Sequence, residues 1–440
     1  MYKLMTDTQT TSPNRSRPLR VALLGFGTVG SAVARVLAAQ QFAEVELTHI
    51  VNRAVERKRS LQAALSVPPT VHWHNDPAAV LAASDVDIVI ETIGGMDPIE
   101  NWLAQALRSG KSVVTANKQL IAYRGAALAV LAAEHGVQLL YNAAVAGGVP
   151  VIPATLQGLQ GDRITRLSGI LNGTCNFILS HMEHGANYAE VLAKAQAAGY
   201  AEADPSADVD GIDARAKLCI LARAALHAEL NPDDIPTQSI SLLDAVDFQY
   251  AKELGCTIRQ VSRVQLGGED AVHARVAPML VPHASPIAWS HGTQNMVVTT
   301  GEFGGDVVFS GHGAGGNPTA VAIVSDLLAI AHGSCTVSLQ TTSRRVIGEF
   351  LAPHFLRFIV DDKPGIVSAI SGALATVGAN IDSILQRPGY PKHRLPFVVT
   401  TEPCLTSTIH RALTAMGNFE CMLQPPLALQ ILTVDDKAED

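Results

Sequence analysis

Residues 20–38 read RVALLGFGTVGSAVARVLA, an apolar strand that runs through Gly25, Gly27 and Gly30 into a helix. In G-x-G-x-x-G spacing the first glycine makes a tight turn, the second lets the backbone approach a pyrophosphate, and the third lets helix and strand pack closely. Alone the pattern is weak, because other α/β folds also contain glycine-rich turns. The stretch predicts a dinucleotide-binding unit, with contacts along the turn at Gly25, Phe26, Gly27, Thr28, Val29 and Gly30.

The sequence around this turn alternates strands and helices. VELTHIVNR (45–53) predicts the second strand and VDIVIETIGG (86–95) a later one, each bounded by helical sequence. This alternation is typical of a Rossmann-type, doubly wound parallel sheet. We predict such a nucleotide-binding domain at residues 19–141, behind a flexible tail at residues 1–18.

A further predicted strand, KSVVTANKQLIA (111–122), leads to Thr115 and Lys118. Ligands of open α/β sheets lie beyond the carboxyl ends of the strands, so Lys118 is predicted to face a nicotinamide. An ordinary surface lysine at a helix start is the alternative.

The end of the second strand indicates which nicotinamide cofactor to expect. A carboxylate there would hold the ribose 2′-hydroxyl of NAD and repel a 2′-phosphate, but this chain has Asn52 and Arg53. We therefore predict that NADP is favoured over NAD and that Arg53 contacts it. Three more basic residues follow at 57–59, and a solvated helix surface explains them equally well.

Residues 198–217, AGYAEADPSADVDGIDARAK, carry five carboxylates and end at one lysine, Lys217. Like charges this close cannot all be buried without cationic partners. Asp213 and Lys217 stand four apart in a helical run and share one face, and glycines and a proline keep the upstream part a loop, so Glu202 and Asp208 can fold over that face. This predicts a pocket with carboxylates for a substrate ammonium and a lysine for proton transfer. A solvated acidic loop capping a helix is the alternative.

Two glycine-rich stretches flank this motif. VAGGVPVIP (145–153) is a loop whose carbonyl oxygens suit a hard monovalent cation, although a plain tight turn explains it as well. SGHGAGGNPTA (310–320) begins a helix, which we predict to return to the nucleotide domain within residues 319–345, a segment that also holds a linker.

Length and composition agree with a cytoplasmic enzyme. The chain has 440 residues, 48% of them hydrophobic, which is room for several domains with ample cores. A net charge of −8 argues against nucleic acid or an anionic membrane surface as partner. The six cysteines are scattered and are expected to be reduced, and no signal peptide or apolar run long enough to span a bilayer is evident.

Residues 346–435 have a different pattern, β-α-β-β-α-β, which is typical of a ferredoxin-like domain. The segment contains no paired acid and base and no nucleophile beside a base. It is predicted to be a small-ligand or dimerisation module with its own core.

The motifs VALLGFGTVG, ETIGG, TANK, AGG-P and GYAEADPSADVDGIDARAK together resemble homoserine dehydrogenase over about residues 19–345. The C-terminal unit resembles an ACT domain, with DKPG and GAN in the expected places. The resemblance implies an α+β catalytic and dimerisation domain at residues 142–318 and reversible reduction of L-aspartate 4-semialdehyde to L-homoserine with NAD(P)H. It also implies a homodimer or homotetramer and inhibition by L-threonine, with the inhibition lost and activity kept after deletion beyond about residue 345.

Roles follow from the resemblance position by position. Lys217 matches the proton donor, Lys118 a second lysine near the reacting hydroxyl, and Asp213 a carboxylate beside the reacting centre, while the sequence leaves open which lysine moves the proton. Substrate contacts are implied at Gly199, Glu202 and Asp208, and further cofactor contacts at Thr92, Thr115 and Gly313. A sodium site is implied at Asn142, Val145, Gly147 and Val149, although many members have a glutamate where this chain has Asn142. Effector contacts in the ACT domain are implied at Asp361, Asp362, Gly365, Gly378, Asn380 and Ile381.

Two other classes of protein stay open at this stage. One is a different nicotinamide enzyme acting on an amino-acid aldehyde or ketone. The other is a catalytically inactive amino-acid sensor, against which the joint presence of both lysines and the three carboxylates argues.

Overall fold

The structure is a computed structural model that describes residues 17–268, 270–334, 341–417 and 419–433. The chain divides into two compact units, the first comprising Met1–Pro150 and Ala314–Gln340, the second Val151–Gly313 and Thr341–Asp440. Except for its last two residues, the predicted flexible tail lies outside the described residues, as does the part of the predicted linker at 335–340. Among the described residues no helix is long and apolar enough to cross a membrane.

The first unit contains a six-stranded parallel sheet with the strand order β3-β2-β1-β4-β5-β6. Its elements are β1 (Leu19–Leu24), α1 (Thr28–Gln40), β2 (Val45–Val51), α2 (Val55–Arg59), β3 (His72–His74), α3 (Ala78–Leu81), β4 (Ile88–Glu91), α4 (Ile99–Arg108), β5 (Ser112–Thr115), α5 (Lys118–Glu134), β6 (Leu139–Leu140) and α12 (Gly316–His332). This order reverses direction between β1 and β4, which is where doubly wound sheets bind dinucleotides. The predicted Rossmann-type sheet is confirmed.

Apolar runs explain why these strands are central. Val21 through Leu24 are fully buried, as expected for parallel strands that helices cover on both faces. Helix α12 packs on the same core through Ile323 and Leu327. Gly316, near its start, lies so close to the Thr28 carbonyl that a Cβ there would be 3.0 Å from the oxygen.

The second unit is built on a mixed sheet with the strand order β12-β11-β7-β9-β10-β20-β16-β18-β17, to which β14 adds beside β10. Its elements are α6 (Val151–Pro153), β7 (Ile164–Ile170), α7 (Gly173–Met182), α8 (Tyr188–Ala197), α9 (Ser206–Val209), α10 (Ile212–Leu226), β8 (Ala228–Glu229), α11 (Ala245–Glu253), β9 (Cys256–Leu266), β10 (Ala271–Pro282), β11 (Gln294–Gly301), β12 (Gly305–His312), β13 (Thr342–Ser343), β14 (Arg345–Ile347), β15 (Leu351–Ala352), β16 (His354–Val360), α13 (Ile366–Thr376), β17 (Ile381–Leu385), β18 (Leu395–Thr401), β19 (Cys404–Leu405), α14 (Thr406–Met416) and β20 (Leu427–Ile431).

The last four strands of this sheet and the helices α13 and α14 form the predicted ferredoxin-like domain. Its strand order is β20-β16-β18-β17, and all of its pairings are antiparallel. Strand β20 also pairs in parallel with β10, where Met279 is opposite Gln430 and Leu280 is opposite Ile431. The ferredoxin-like sheet is therefore continuous with the sheet that carries β7 and β9.

The C-terminal domain has two cores. One, between its own sheet and helices, includes Phe358, Ile370 and Ile409. The other is shared, because Phe355 and Leu427 pack in one cluster with residues of α11 and β9. A buried ion pair between Arg357 on β16 and Asp247 on α11, 2.9 Å apart, crosses the same junction. The expectation of a domain that can be deleted without harm to the rest is therefore at odds with the packing.

Candidate active site

The glycine turn after β1 has the geometry that a pyrophosphate needs. Gly25 has φ +97°, which favours glycine, and a Cβ on Gly30 would lie 2.1 Å from the Gly25 carbonyl oxygen. A Cβ on Gly27, by contrast, would meet no atom of the described part of the chain within 4 Å. Gly25 and Gly30 are thus required by the fold, whereas Gly27 leaves open space at the amino end of α1. These residues fit a dinucleotide.

The hydroxyl groups predicted beside the cofactor also hold the strand ends together. Thr92 donates to the carbonyls of Leu24 and Gly25 at 3.1 and 3.2 Å. Thr115 donates at 2.5 Å to Glu91, a fully buried carboxylate that also accepts from the backbone of Ile93 at 2.6 Å. Sequence reasoning missed Glu91, although its position as the last residue of β4 is the signal that could have found it.

Lys118 and Arg53 both lie just beyond the carboxyl ends of strands. Lys118 is the first residue of α5, is half-buried, and follows Asn117, whose side chain caps the helix by accepting from Leu120 at 3.1 Å. Arg53 is exposed two residues after β2. Both positions agree with the edge of the sheet at which the cofactor is expected.

The loop predicted to bind a cation begins beside a buried carboxylate. Asn142 donates its amide N–H to Asp326 on α12, and its backbone N–H donates to the same carboxylate at 3.1 Å. Asp326 is fully buried, and burial raises its pKa to about 7. Within the described ranges no lysine or arginine forms an ion pair with it. A carboxyl group, which position 142 itself lacks, is therefore present in direct contact with it.

In the second unit the acidic motif forms a compact group at the end of β7. Asp213 and Lys217 on α10 are 2.7 Å apart and nearly buried, which confirms that they share one helical face. Asp208 on α9 joins them through Asn172, whose amide nitrogen donates to Asp208 at 2.7 Å and to Asp213 at 2.9 Å. Sequence reasoning missed Asn172. Its position between a strand and a helix, where asparagine is a favoured cap, is the signal.

The ammonium group of Lys217 is held by two acceptors. Its Nζ donates to the Leu171 carbonyl at 2.8 Å and to Asp213 at 2.7 Å. An ammonium has three N–H groups, so among the described residues these two contacts leave one N–H for a substrate oxygen. The arrangement can hold a polar group and transfer a proton to it.

Glu202 and Gly199 lie on an exposed segment of the same motif. Gly199 has φ +75°, and the backbone carbonyl of Glu202 accepts from Gln196 at 3.0 Å. The hydrogen bonds and ion pairs found in the described part of the chain do not link either residue to Lys217. Gly313 lies against Asn295, whose amide donates to the Ile170 carbonyl at the end of β7 at 2.9 Å, and a Cβ at Gly313 would overlap that side chain.

The six predicted effector residues fall into two groups at opposite ends of α13. Asp361, Asp362 and Gly365 precede the helix, and Gly378, Asn380 and Ile381 follow it. An eleven-residue helix is about 16 Å long, so within one chain the two groups do not form a single small pocket. A cavity of about 470 Å³ on the same domain is lined by His410, Thr414 and residues 422–426 and not by these six.

The fold and these sites define a nicotinamide-dependent oxidoreductase with a lysine–carboxylate centre and a C-terminal ACT domain. The family model for homoserine dehydrogenase matches residues 150–328, that for its NAD binding domain residues 25–142, and that for the ACT domain residues 354–415. The homoserine dehydrogenase of Mycobacterium tuberculosis is 40% identical over 393 residues, covering 85% of this chain and 88% of that protein. That of Bacillus subtilis is 36% identical over 391 residues, covering 84% and 88%.

The comparison with solved structures finds the same family as the comparison with sequences. A homoserine dehydrogenase from Thiobacillus denitrificans superposes with a TM-score of 0.87 at 32% identity, covering 94% of this chain and 98% of that one. A hyperthermophilic archaeal homoserine dehydrogenase in complex with NADPH gives 0.62 at 26% identity, covering 73% and 99%. The chain belongs to the homoserine dehydrogenase family. The resemblance seen in the sequence is confirmed, and with it a homoserine dehydrogenase activity that uses a nicotinamide cofactor.

Proposed function

We propose that Lys217 is the acid that protonates the aldehyde oxygen of L-aspartate 4-semialdehyde as it becomes the hydroxyl of L-homoserine. The observation that carries this proposal is the arrangement of the Lys217 ammonium, which the Leu171 carbonyl and Asp213 hold while one N–H stays available. The bound nicotinamide supplies the hydride to the aldehyde carbon, and the reverse reaction returns it.

The other residues of the candidate active site bind the substrate or the cofactor, or orient Lys217. Asp213 holds the Lys217 ammonium in place through an ion pair of 2.7 Å. Asp208 and Glu202 hold the substrate ammonium. We assign Lys118 to the reacting hydroxyl and Gly199 to the substrate, while Thr92, Thr115 and Gly313 support the cofactor. Each of these roles rests on the family pattern.

The test of the function is an assay of oxidation by purified protein. L-Homoserine should be oxidised efficiently, whereas L-serine, L-threonine and 4-hydroxybutyrate should be poor substrates. The last compound lacks the ammonium that the carboxylates would hold. Comparable rates with 4-hydroxybutyrate would contradict the assigned role of the acidic motif.

NADP is the proposed cofactor, and a sodium ion the proposed structural ion. Exposed Arg53 at the end of β2 supports NADP, since only the 2′-phosphate offers it a charge-assisted contact. Sodium would be held by carbonyl groups of Val145, Gly147 and Val149 together with Asn142. Buried Asp326 beside Asn142 supports it, because a bound cation would favour the ionised form of that carboxyl.

L-Threonine is the proposed inhibitor, acting through the ACT domain of a homodimer or homotetramer. The two groups of predicted effector residues lie about a helix length apart in one chain. A small amino acid that touches both therefore needs a second ACT domain, which supports a site at an interface. The pairing of β20 with β10 supplies a direct physical link from that domain to the catalytic sheet.

A further inference from the structure

The side chain of Asn172 connects the two carboxylates of the lysine–carboxylate group, Asp208 and Asp213. It is 3% exposed and stands between β7 and α7. Its carbonyl oxygen accepts from the backbone N–H of Cys175 at 2.8 Å, which caps α7. Its amide nitrogen donates to Asp208 and to Asp213. Both of its N–H groups and its acceptor are therefore engaged.

The two carboxylates that share this amide are close neighbours, because both accept from the same nitrogen atom. Two ionised carboxylates at such a distance disfavour each other, and donation of an N–H to each favours the ionised form. The oxygen of Asp213 that accepts from Asn172 is the one that accepts from Lys217. Asn172 and Lys217 thus hold Asp213 from two sides.

Other groups near the two carboxylates donate to the backbone. The Cys175 thiol and the Gln260 amide both donate to the backbone carbonyl of Asp208, at 3.2 and 3.4 Å. Burial, together with the charges of Asp208 and Asp213, raises the pKa of the Cys175 thiol well above its usual value, so that group stays neutral. Burial also raises the pKa of Tyr188 on α8, to which the charge of Asp210 contributes.

We propose that Asn172 is a positioning residue for the reaction: it holds Asp208 and Asp213 side by side and thereby keeps Lys217 aimed at the substrate oxygen. This inference rests on the proposed role of Lys217. The two residues that follow β7 contact the whole group: the Leu171 carbonyl accepts from Lys217, and the Asn172 amide donates to both carboxylates. The end of one strand therefore orients all three charged side chains.

Three variants test the inference. Asn172→Ser keeps a hydroxyl acceptor for the α7 cap but loses both N–H donors, and Asn172→Asp keeps the cap and adds a third negative charge. Asn176→Ser is the control, because Asn176 is a buried asparagine one turn along α7 that donates instead to Ser290 and Gln294. The readouts are kcat and KM for L-homoserine from pH 5.5 to 10, and thermal melting.

Asn172→Ser should lower kcat about 10- to 100-fold, the effect of losing hydrogen bonds to charged groups. The acid limb of its kcat profile should move towards higher pH, since hydrogen bonds then offset less of the negative charge at the site. Asn172→Asp should move the acid limb of the kcat profile at least as far. This variant provides the test if Asn172→Ser fails to fold. Asn176→Ser should melt at lower temperature with an unshifted profile.

Two results separate the possible failures. An unshifted profile in both Asn172 variants, with Lys217→Ala inactive, would overturn the positioning role and leave the proposed function intact. Near-normal kcat in Lys217→Ala would overturn the proposed function itself. A shift of equal size in Asn176→Ser would show that any loosening of α7 moves the profile, and that too would overturn the inference.

Discussion

Lys217 is nearly buried, and the residues that hold it come from two elements, α10 itself and the end of β7. Lys217→Ala should lower kcat by about 10² to 10⁴, the usual effect of losing a general acid. Cofactor affinity, measured by fluorescence titration with NADPH, should change little. Lys194→Ala on the exposed face of α8 is the control and should keep normal kcat.

Arg53 is predicted to determine the preference for NADP over NAD. Arg53→Ala should raise the KM for NADP much more than the KM for NAD, because only NADP has the 2′-phosphate that accepts a charge-assisted hydrogen bond. Arg59→Ala, which removes a similarly exposed charge at the end of α2, is the matched control and should leave the ratio unchanged. Equal effects of Arg53→Ala on both cofactors would show that Arg53 does not contact the phosphate.

At the scale of elements, the segment that joins β1 to α1 contains two glycines with different roles. Packing requires Gly30, whereas Gly27 is expected to be required by the ligand. Gly30→Ala should destabilise the protein, because its Cβ would overlap the Gly25 carbonyl 2.1 Å away. Gly27→Ala should leave thermal melting nearly unchanged, since no atom of the described residues lies within 4 Å of its Cβ, but should weaken NADPH binding. Reversed effects on melting and binding would contradict the placement of the pyrophosphate.

Strand β16 begins at His354, which is 1% exposed. Burial, assisted by the charge of Arg275, lowers the pKa of His354 to about 4. The unfolded chain therefore binds a proton below about pH 6.5 that the folded chain does not, so His354 lowers stability as the pH falls from about 6.5 to 4. The full loss would be about 3 kcal/mol.

Urea unfolding at pH 7.5 and pH 5 measures this loss. Burial raises the pKa of Asp247 to about 6, which acts in the opposite direction, so the comparison must be between variants. His354→Gln should lose less stability between the two pH values than the wild type does. His312→Gln, at the exposed end of β12, should behave as the wild type. An identical pH dependence in all three proteins would rule out His354 as the source.

At the scale of the whole molecule, the ACT domain is part of the fold as well as the proposed site of regulation. Deletion after residue 345 would remove β20 from the edge of β10 and take Phe355 and Leu427 out of a core shared with α11 and β9. Losing one large buried side chain typically costs about 2 to 5 kcal/mol. We therefore expect the truncated chain to be unstable, in contrast to the expectation from the sequence.

Threonine regulation is better tested by point variants of the intact chain. L-Threonine should inhibit homoserine oxidation, with a coupling of about 1 to 3 kcal/mol between the two ligands. Asn380→Ala should weaken this inhibition, because Asn380 is one of the predicted effector contacts. It should lower kcat in the absence of threonine far less, because its side chain lies on the surface of the ACT domain, where it donates to Glu402. Undiminished inhibition in Asn380→Ala and in Asp361→Ala would place the effector in the active site, where threonine resembles homoserine.

Local patterns in the sequence determined the element types and much of the candidate site. The glycine spacing at 25–30 predicts the turn, the four-residue spacing of Asp213 and Lys217 predicts their shared face, and the alternation after residue 350 predicts the ferredoxin-like order. Each of these features depends on sterics or helical geometry within a few residues, which a sequence displays directly.

Tertiary structure alone decided the contacts that join distant segments. Asn172 meets Asp213 across 41 positions, Asn142 meets Asp326 across 184, and β10 meets β20 near residues 280 and 431. No spacing rule links such positions, because the chain packs its elements by the fit of buried surfaces and not by their separation in sequence. The sequence thus determined which side chains are candidates for the chemistry, while packing decided that one asparagine bonds two of their carboxylates and that the ACT sheet joins the catalytic one.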